Sequence, residues 1–513
     1  MTLDAIGLEV MAHSFAGMAE EMGALLVASS FSPNVRERRD SSAAIFNARG
    51  EMIAQAAHIP VHLGAMPEAV DAVRKRCPDP GDTYILNDPY MGGTHLPDVT
   101  MVHAIDYNGQ VVGYTVVRAH HSDIGGSRPG SMPPHSTDIF QEGLVLPPVR
   151  WSKAGKIEED IESLVLANVR TPDMRRGDLQ AQMAACERGA VRYRELLDRS
   201  GQAYVEGAAR DLLDYAERRT IESVRERIAE GRYEAEDCLD SDGVEDKDVV
   251  IRVAIQVVDG RLTFDFTGSA PATRGNVNCP LAVTRSALLF VLRCVVDADI
   301  PANGGVHRVV RVVAPPGLVV NARWPSAVAA GNVETSQRIA DVIALALSQA
   351  TDVPAPGQGT MNNVVIGGDA WTYYETIGGG QGASRFGKGP SGVHVGMSNT
   401  RNTPVEVMEL EHPIRLRRYA LRTGSGGSGA HSGGDGVVRE YEALEAMEAS
   451  LICERRIHAP KGTNGGGDGL EGKNLVNGTP VGGHAAVSLS KGDVLTVETP
   501  GGGGWGAATA SSH

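Results

Sequence analysis

Residues 99–120 read VTMVHAIDYNGQVVGYTVVRAH and predict the element around which the fold is built. Apolar and β-branched residues run on both sides of Asn108-Gly109, a residue pair that favours a two-residue turn between antiparallel strands. We therefore expect a β-hairpin whose second strand runs into the pair His120-His121. Binding and catalytic residues are commonly placed at such strand ends.

The segments on either side of this hairpin are rich in side chains that can bind a metal ion. They read NDPYMGGTHLPD at residues 87–98 and RAHHSDIGG at residues 118–126. A Gly pair lets the first segment fold closely, and a Pro fixes the chain between His95 and Asp98. A turn of this kind can direct an imidazole and a carboxylate at one point, a combination that suits Zn or Mn.

The His pair at the end of the hairpin offers a third ligand, from either His120 or His121. Adjacent side chains of a strand face opposite ways, so we expect only one of the two to point at the metal. The other, together with Asp123, would orient a ligand by a hydrogen bond or handle protons. In the alternative interpretation, the Asn and Asp residues of these segments only cap turns.

Composition limits the classes of protein to consider. The chain has 513 residues, which predicts two to four domains. Its net charge of −15 and dispersed basic residues argue against nucleic-acid binding, and no apolar run is long enough to predict a membrane span. The N-terminus lacks a signal-peptide pattern and the six Cys form no CxxC pair. These features predict a cytoplasmic protein with free, buried thiols.

The pattern along the chain predicts a mixed α+β, multi-domain protein. Residues 1–177 read as an N-terminal metal-site domain, a sheet with helices, and residues 178–240 read as a helical segment. Residues 241–513 read as a β-rich region with many Gly loops, interrupted by two apolar helices at 281–297 and 336–350.

Further elements follow from local signals. Amphipathic spacing predicts helices at residues 3–30 and 67–76, and two short strands are predicted around residues 48–50. Alternating apolar residues on both sides of Asp259-Gly260 predict a second hairpin.

Two other segments have competing interpretations. The run GGGQG at residues 378–382 could form a backbone nest for an anion, but turns between short strands are the favoured interpretation. The segment NVRERRD at residues 34–40 is typical of a solvated charged loop, although the fold could bring Glu37 to the metal. No GxSxG motif or catalytic-type Cys motif supports nucleophilic catalysis.

Many long motifs in one order resemble the hydantoinase B/5-oxoprolinase B-type family, which includes the alpha-type subunits of acetone and acetophenone carboxylases. The resemblance extends from about residue 5 to residue 506. The motifs are IPVHLGAMPEAV, ILNDPYMGGTHLPDVTMV, RAHHSDIGGSRPGSM, RTPDMRRGDLQAQMAA, GNVNCPLAVTRSA, VAAGNVETSQRIADV, ETIGGGQGA, MSNTRNTPVEVMELEHP and TPGGGGWG.

This resemblance implies one subunit of a hetero-oligomeric enzyme. A separate A-type subunit of the actin-like ATPase class would phosphorylate a carbonyl oxygen of the substrate with ATP. The B-type subunit would carry one divalent metal, Zn or Mn, and complete the reaction. The family's metal motif falls on His95, Asp98, His120 and, in ERRD, Glu37.

The activity implied is ATP-dependent hydrolysis of a cyclic amide such as a hydantoin, oxoproline or lactam, with His121 or Asp123 as general base. A ketone carboxylase subunit is the first alternative, and a non-catalytic partner that stabilises the A-type subunit is the second. Departures from the common pattern in DSSAAIFN and AHSGGDG leave the substrate open.

Overall fold

The computed structural model of the chain describes residues 4–62, 64–368 and 370–508. Within these ranges α-helices combine with several β-sheets, so the predicted mixed, multi-sheet α+β architecture is confirmed. Residues 1–3 lie outside the described residues, so the predicted starts of the first helix and of the N-terminal domain are not described. Residues 509–513, the end of the predicted β-rich region, also lie outside them.

The N-terminal part is built on one antiparallel sheet. Its strands are β1 (Ser41–Asn47), β2 (Met52–Ala57), β3 (Thr83–Leu86), β4 (Asp98–Tyr107), β5 (Gln110–His120), β6 (Val149–Lys153) and β7 (Lys156–Ile157). Their order is β2-β1-β5-β4-β3-β6-β7. The predicted hairpin is confirmed as β4 and β5, joined where Asn108 and Gly109 adopt φ values of 55° and 76°.

Helices cover both faces of this sheet. The N-terminal helices are α1 (Ala5–Ser29), α2 (Pro33–Arg36), α3 (Met66–Arg74), α4 (Glu159–Ala167), α5 (Pro172–Ser200) and α6 (Gln202–Arg227). On one face α1 and α5 contact the sheet and each other, and Phe15, Met22 and Leu26 of α1 are fully buried there. On the other face α3 buries Val70 and Val73 in a smaller core. Both cores exclude water from the ends of β4 and β5.

The predicted helical segment at residues 178–240 differs from the observed elements at both ends. Helix α5 starts earlier, at Pro172, and packs against α1, β4 and β5 rather than forming a separate unit. Residues Gly231–Leu239 form a strand, β8. Their sequence, GRYEAEDCL, alternates in exposure, and β9 (Val249–Val258) supplies the hydrogen-bond partners that stabilise the extended conformation.

A second sheet and two apolar helices form the central core. After β8 and β9 come β10 (Arg261–Asp265), α7 (Leu281–Val295), α8 (Gly304–His307), β11 (Val310–Val313) and α9 (Ser336–Leu347). The sheet order is β11-β10-β9-β8, and the predicted turn at Asp259-Gly260 is confirmed. A π-helical turn at Gly331–Thr335 leads directly into α9. Single π turns of this kind are frequent at functional sites.

Two further sheets form the C-terminal part. Its elements are β12 (Asn363–Gly367), β13 (Thr372–Glu375), α10 (Val405–Glu411), β14 (Ile414–Arg422), β15 (Gly436–Ala443), β16 (Met447–Ile452), β17 (Lys473–Val476), β18 (Thr479–Val481), β19 (His484–Leu489) and β20 (Val494–Glu498). The sheet orders are β13-β12-β16-β19 and β14-β15-β20-β17-β18.

The Gly-rich loops of the C-terminal part pack side by side by backbone contacts. The amide of Gly434 donates to the carbonyl of Gln381, and the amide of Gly502 donates to the carbonyl of Gly434. A Cβ atom on Gly434 would lie 1.8 Å from the carbonyl oxygen of Pro390, so only Gly allows this approach. The segment at residues 378–382, predicted as turns between short strands, lies between β13 and α10, and the amides of Gly379, Gly380 and Gln381 donate to carbonyl oxygens of other loop residues.

All six Cys lie within the described residues and are free. Cys186, Cys279 and Cys453 are buried, as predicted for free thiols, whereas Cys77 and Cys294 are exposed and Cys238 is partly buried.

Candidate metal centre

Three of the predicted ligands meet in a buried cluster. Nε2 of His95 lies 3.1 Å from Oδ1 of Asp98, and Nδ1 of His120 lies 3.0 Å from the same oxygen. The two ring nitrogens are 3.2 Å apart. Three atoms with this spacing leave a point about 2 Å from each of them, which is the usual ligand distance for zinc.

The hairpin register brings two of these residues together. Asp98 is the first residue of β4 and His120 is the last residue of β5, and they are direct partners in the ladder. His95 precedes β4 in a tight loop that begins at Gly92 and Gly93. Gly92 has a φ of 96°, and a Cβ atom on Gly93 would lie 2.2 Å from the carbonyl oxygen of Asn87. The predicted role of this Gly pair in folding the loop closely is therefore confirmed.

Asp98 is a buried carboxylate with several partners. Its Oδ2 accepts hydrogen bonds from the Thr94 hydroxyl at 2.5 Å and from Nδ2 of Asn332 at 3.3 Å. Burial raises the pKa of Asp98, but the charge of His95 and the hydrogen bonds from His120 outweigh burial and hold this pKa well below its usual value. The site therefore has a fixed negative charge inside the protein, which requires a positive partner.

The two His ligands respond to this carboxylate differently. Burial lowers the pKa of His95, but the adjacent charge of Asp98 more than offsets it, so the pKa is raised overall. For His120 burial dominates and its pKa is lowered. The protonated form is therefore favoured for His95 and disfavoured for His120, and a bound cation would take the place of a proton on His95.

A small cavity of about 20 Å³ adjoins the cluster. That volume accommodates one ion or one water molecule. Within the part of the chain that the structure describes, three side-chain atoms of its lining are buried without a hydrogen-bond partner: Nε2 of His62, Nε2 of His120 and Oδ1 of Asn332. Buried polar atoms without hydrogen-bond partners, next to an ionised carboxylate, are expected where a bound ion contacts those atoms. The residues present therefore fit a divalent cation.

His62 is a cavity residue that the sequence interpretation missed. Its Nδ1 lies 2.9 Å from the Ser42 hydroxyl, and its Nε2 lies 3.6 Å from Oδ2 of Asp98. The residue lies in IPVHLGAMPEAV, and its only sequence signal is a His among apolar residues, a pattern that more often indicates a core residue. Tertiary contacts alone bring His62 to the ligands.

The structure does not bring Glu37 to the cavity. Its carboxylate lies 2.8 Å from Nε of Arg36, and 27% of its side chain is exposed. Asp40, three residues later, is buried and lines the cavity, and its backbone carbonyl accepts a hydrogen bond from the amide of His120. The helical turn of α2 rotates Glu37 outward, so the carboxylate that the charged loop supplies to the cavity is Asp40.

His121 and Asp123, the predicted general bases, also lie elsewhere. Nε2 of His121 lies 2.8 Å from Oε1 of Gln182 on α5, and burial lowers the pKa of His121 to about 4. Asp123 accepts hydrogen bonds from backbone amides and pairs with Arg170 at 2.8 Å. Neither residue lines the cavity, so the geometry gives no support to a general-base role for them.

One wall of the cavity comes from the C-terminal part. The ring of Tyr374 stacks on His120 with centroids 4.5 Å apart, and the guanidinium of Arg38 lies over the same Tyr ring at 4.8 Å. The Tyr374 hydroxyl donates to Asn363, whose amide donates to Glu334. Tyr374 of β13 therefore fixes the orientation of one ligand from the C-terminal part.

The loop that contacts His95 is held by the buried carboxylate of Glu142. It accepts hydrogen bonds from the amides of Val328 and Ala329 at 3.0 Å and from the Ser136 hydroxyl at 2.8 Å. The carbonyl oxygen of Ala329 in turn lies 3.4 Å from Nδ1 of His95. Glu142 thus holds the loop that orients His95.

The sequence profile of the Hydantoinase B/oxoprolinase family matches residues 4–508. The chain belongs to the Hydantoinase B/oxoprolinase family. The resemblance inferred from its motifs is thereby confirmed.

Several relatives of this family member are similar over almost its whole length. An uncharacterized protein of Methanocaldococcus jannaschii is 40% identical over 98% of this chain and 91% of its own length. 5-Oxoprolinase 1 of Arabidopsis thaliana is 38% identical over 98% of this chain but only 42% of its own length. The B subunit of a putative D-/L-hydantoinase from a Pseudomonas species is 32% identical, covering 92% of this chain and 83% of that protein. The chain therefore spans about two fifths of the oxoprolinase.

Solved structures share the architecture. The ATP-dependent caprolactamase from Pseudomonas jessenii superposes with a TM-score of 0.91 at 27% identity, covering 99% of this chain and 92% of that chain. Acetone carboxylase superposes with a TM-score of 0.89 at 17% identity, covering 98% of this chain and 76% of that chain, so the two share the fold. Among the described residues, no helix combines the length and apolar character that crossing a bilayer requires.

Proposed function

We propose that this chain is the metal-bearing B-type subunit of an ATP-dependent cyclic amide hydrolase. Its substrate would be a hydantoin, oxoproline or lactam that a separate A-type subunit has phosphorylated. The observation that carries the proposal is the buried cluster of His95, Asp98 and His120 beside a cavity of about 20 Å³. The names of the oxoprolinase, hydantoinase and caprolactamase relatives supply the reaction class.

We propose that His95, Asp98 and His120 hold one divalent ion, Zn or Mn. Their side chains are buried and line one cavity, and a carboxylate with two imidazoles suits either metal. Asp40 lines the same cavity, but its carboxylate does not belong to the converging group. Bound there, a divalent ion supplies Lewis acidity, which lowers the pKa of water and polarises a carbonyl or phosphoryl oxygen.

The remaining cavity residues would position groups and move a proton. An amide carbon is a poor electrophile, and phosphorylation of its oxygen makes it susceptible to attack by water. We assign the proton released in that attack to Nε2 of His62, which has no hydrogen-bond partner among the described residues and lies 3.6 Å from Oδ2 of Asp98. The Ser42 hydroxyl, 2.9 Å from Nδ1, fixes the ring orientation.

The cavity holds an ion or a water molecule, but a substrate ring is larger. Turnover therefore requires the cavity to widen. Docking of an A-type subunit would provide such a change and deliver the phosphorylated substrate. We therefore expect turnover only in the complex.

The first experiment tests the complex. The purified chain, alone or with its A-type partner, is supplied with ATP and with hydantoin, 5-oxoproline or caprolactam. We expect ring opening and ADP formation only when both chains are present. Full ATP-dependent hydrolysis by this chain alone would overturn the proposed division of labour.

Ketone carboxylation is the second candidate because acetone carboxylase shares the fold. The same complex is therefore incubated with acetone or acetophenone and ATP, with and without bicarbonate. Bicarbonate-dependent formation of a β-keto acid, without ring opening of any cyclic amide, would favour the carboxylase. Absence of both activities from a correctly assembled complex would leave the role of a stabilising partner.

The second experiment tests the metal centre. His95→Ala removes one ligand from a loop, so we expect most of the bound metal and the activity of the complex to be lost while the chain stays folded. His103→Gln is the matched control, because His103 is a buried His of β4 that lies outside the cavity. Elemental analysis and circular dichroism give the readouts. Equal metal content in wild type and His95→Ala would contradict the assignment.

A further inference from the structure

Among the described residues, a second group of metal-capable side chains lies outside the cavity. A ligand atom from each of Cys238, Asp248 and His458 lies within 4.8 Å of the other two. None of these residues lines the first cavity. The group combines a thiol, a carboxylate and an imidazole, which is a ligand set characteristic of zinc.

The strand register places the first two side chains on one face. Cys238 lies on β8 and is the direct ladder partner of Val250 on β9. Asp248 immediately precedes β9, two residues before Val250, so it lies on the same side of the sheet, diagonally opposite Cys238. Val250 itself is 37% exposed, which shows that this face is open to solvent.

The third side chain comes from the loop after β16 and is held in place by a buried carboxylate. The carboxylate of Asp240 accepts hydrogen bonds from the amides of Arg456, Ile457 and His458, at 2.6, 3.1 and 3.1 Å. This fixes the backbone of His458 beside the end of β8. Nε2 of His458 then lies 2.9 Å from Oδ1 of Asp248. The three ligand atoms are thus brought together before any ion binds.

Asp248 differs from several of its acidic neighbours in its partner. Residues 234–248 contain eight acidic side chains and a single Lys, but Glu234, Glu236 and Asp237 pair with Arg side chains, whereas Asp248 pairs with His458. The Asp248–His458 pair is partly exposed, with 53% and 32% of the two side chains accessible, so it contributes little to stability as an ion pair alone. A bound cation would be coordinated by all three converging side chains. It would also join the second sheet to the loop that follows β16.

We propose that Cys238, Asp248 and His458 form a second site for a divalent ion of the zinc class. Its open side faces solvent, so water completes the coordination shell. The site is independent of the reaction at the first cavity, and its expected effect is to fasten loop 453–472 to β8 and β9.

Cobalt substitution separates the two sites because only the second contains sulfur. The full chain is titrated with Co²⁺, and we expect near-ultraviolet sulfur-to-cobalt absorption as the second site fills. Cys238→Ser should abolish this absorption and lower the bound metal from two ions per chain to one, with activity of the complex unchanged. Cys294→Ser, at an exposed Cys elsewhere, should leave both readouts as in wild type. Absence of sulfur-to-cobalt absorption in wild type, or its persistence in Cys238→Ser, would overturn the proposal.

A stability measurement gives an independent readout. In a His95→Ala chain, which lacks the first site, added Zn²⁺ should still raise the thermal midpoint. The shift should disappear when Cys238→Ser or His458→Gln is combined with His95→Ala. A zinc-dependent shift that survives both combinations would contradict the site.

Discussion

Adjacent residues His120 and His121 have opposite surroundings although they are chemically identical. His120 lies in the metal cluster against Tyr374, and His121 contacts Gln182 on α5. The two-residue alternation of a strand separates them. Only one of the pair therefore reaches the cluster, as the alternation predicts, and the proton-handling role passes in our proposal to His62.

At the residue scale, Glu142 gives a prediction about indirect control of a ligand. The Glu142 carboxylate accepts hydrogen bonds from the Val328 and Ala329 amides, and Glu142→Gln replaces one of its oxygens by an NH₂ group that can only donate. The loop that orients His95 should therefore shift. We expect metal affinity to fall about 10- to 100-fold, as for other residues that orient metal ligands. Competition with a chelator measures the dissociation constant. Glu158→Gln, at a surface pair with Arg150, is the control, and equal losses in both variants would count against a specific role.

At the element scale, the π turn at Gly331–Thr335 places Asn332 on Asp98. A Cβ atom on Gly331 would lie 1.8 Å from the carbonyl oxygen of Asn278, so Gly331→Ala must displace the turn. We expect a loss of about 1–3 kcal/mol or more in the free energy of unfolding, together with weaker metal binding. Thermal unfolding and metal analysis test both expectations.

The control for this element is Gly17→Ala. Gly17 lies within α1, and its Cβ would meet no atom within 4 Å. Because Ala favours a helix over Gly, this change should stabilise the chain by about 0.5–1 kcal/mol and leave metal binding unaltered. A Gly331→Ala chain as stable as wild type would show that the turn accommodates the extra atom.

At the scale of the whole molecule, His residues buried in the neutral form predict acid sensitivity. Burial lowers the pKa of both His103 and His121 to about 4, against an ordinary value near 6.5. Between these values the unfolded chain binds more protons than the folded chain. The free energy of unfolding should therefore fall as the pH drops from about 6.5 to 4, by up to about 1.4 kcal/mol per pH unit for each His.

Urea unfolding at pH 7.5 and pH 5.5 measures this effect. His103→Gln removes one of these groups and should reduce the difference between the two midpoints. His13→Gln, at an exposed position of α1, should not change it. An unfolding midpoint that rises toward pH 5.5 would contradict the prediction, because the sign follows directly from the lowered pKa values.

The sequence determined the part of the site that lies within one hairpin. Asn108-Gly109 sets the turn, the turn sets the register, and the register pairs Asp98 with His120. The Gly pair of the preceding loop adds His95 from only a few residues away. These are local effects of backbone conformation and side-chain alternation, which a single sequence states directly. Periodicity along the chain predicted the mixed α+β class, and the resemblance of the motifs pointed to the family.

The tertiary structure decided which distant residues complete the site. His62, Asn332 and Tyr374 reach the cavity from separate elements, and no local pattern encodes those contacts. Asp40 lines the cavity and Glu37 does not, because the turn of α2 directs the first carboxylate inward and the second outward. His121 and Asp123 lie away from the cavity because α5 packs against the first and the loop before α5 pairs with the second. Packing over long sequence separations, rather than local preference, fixes these positions.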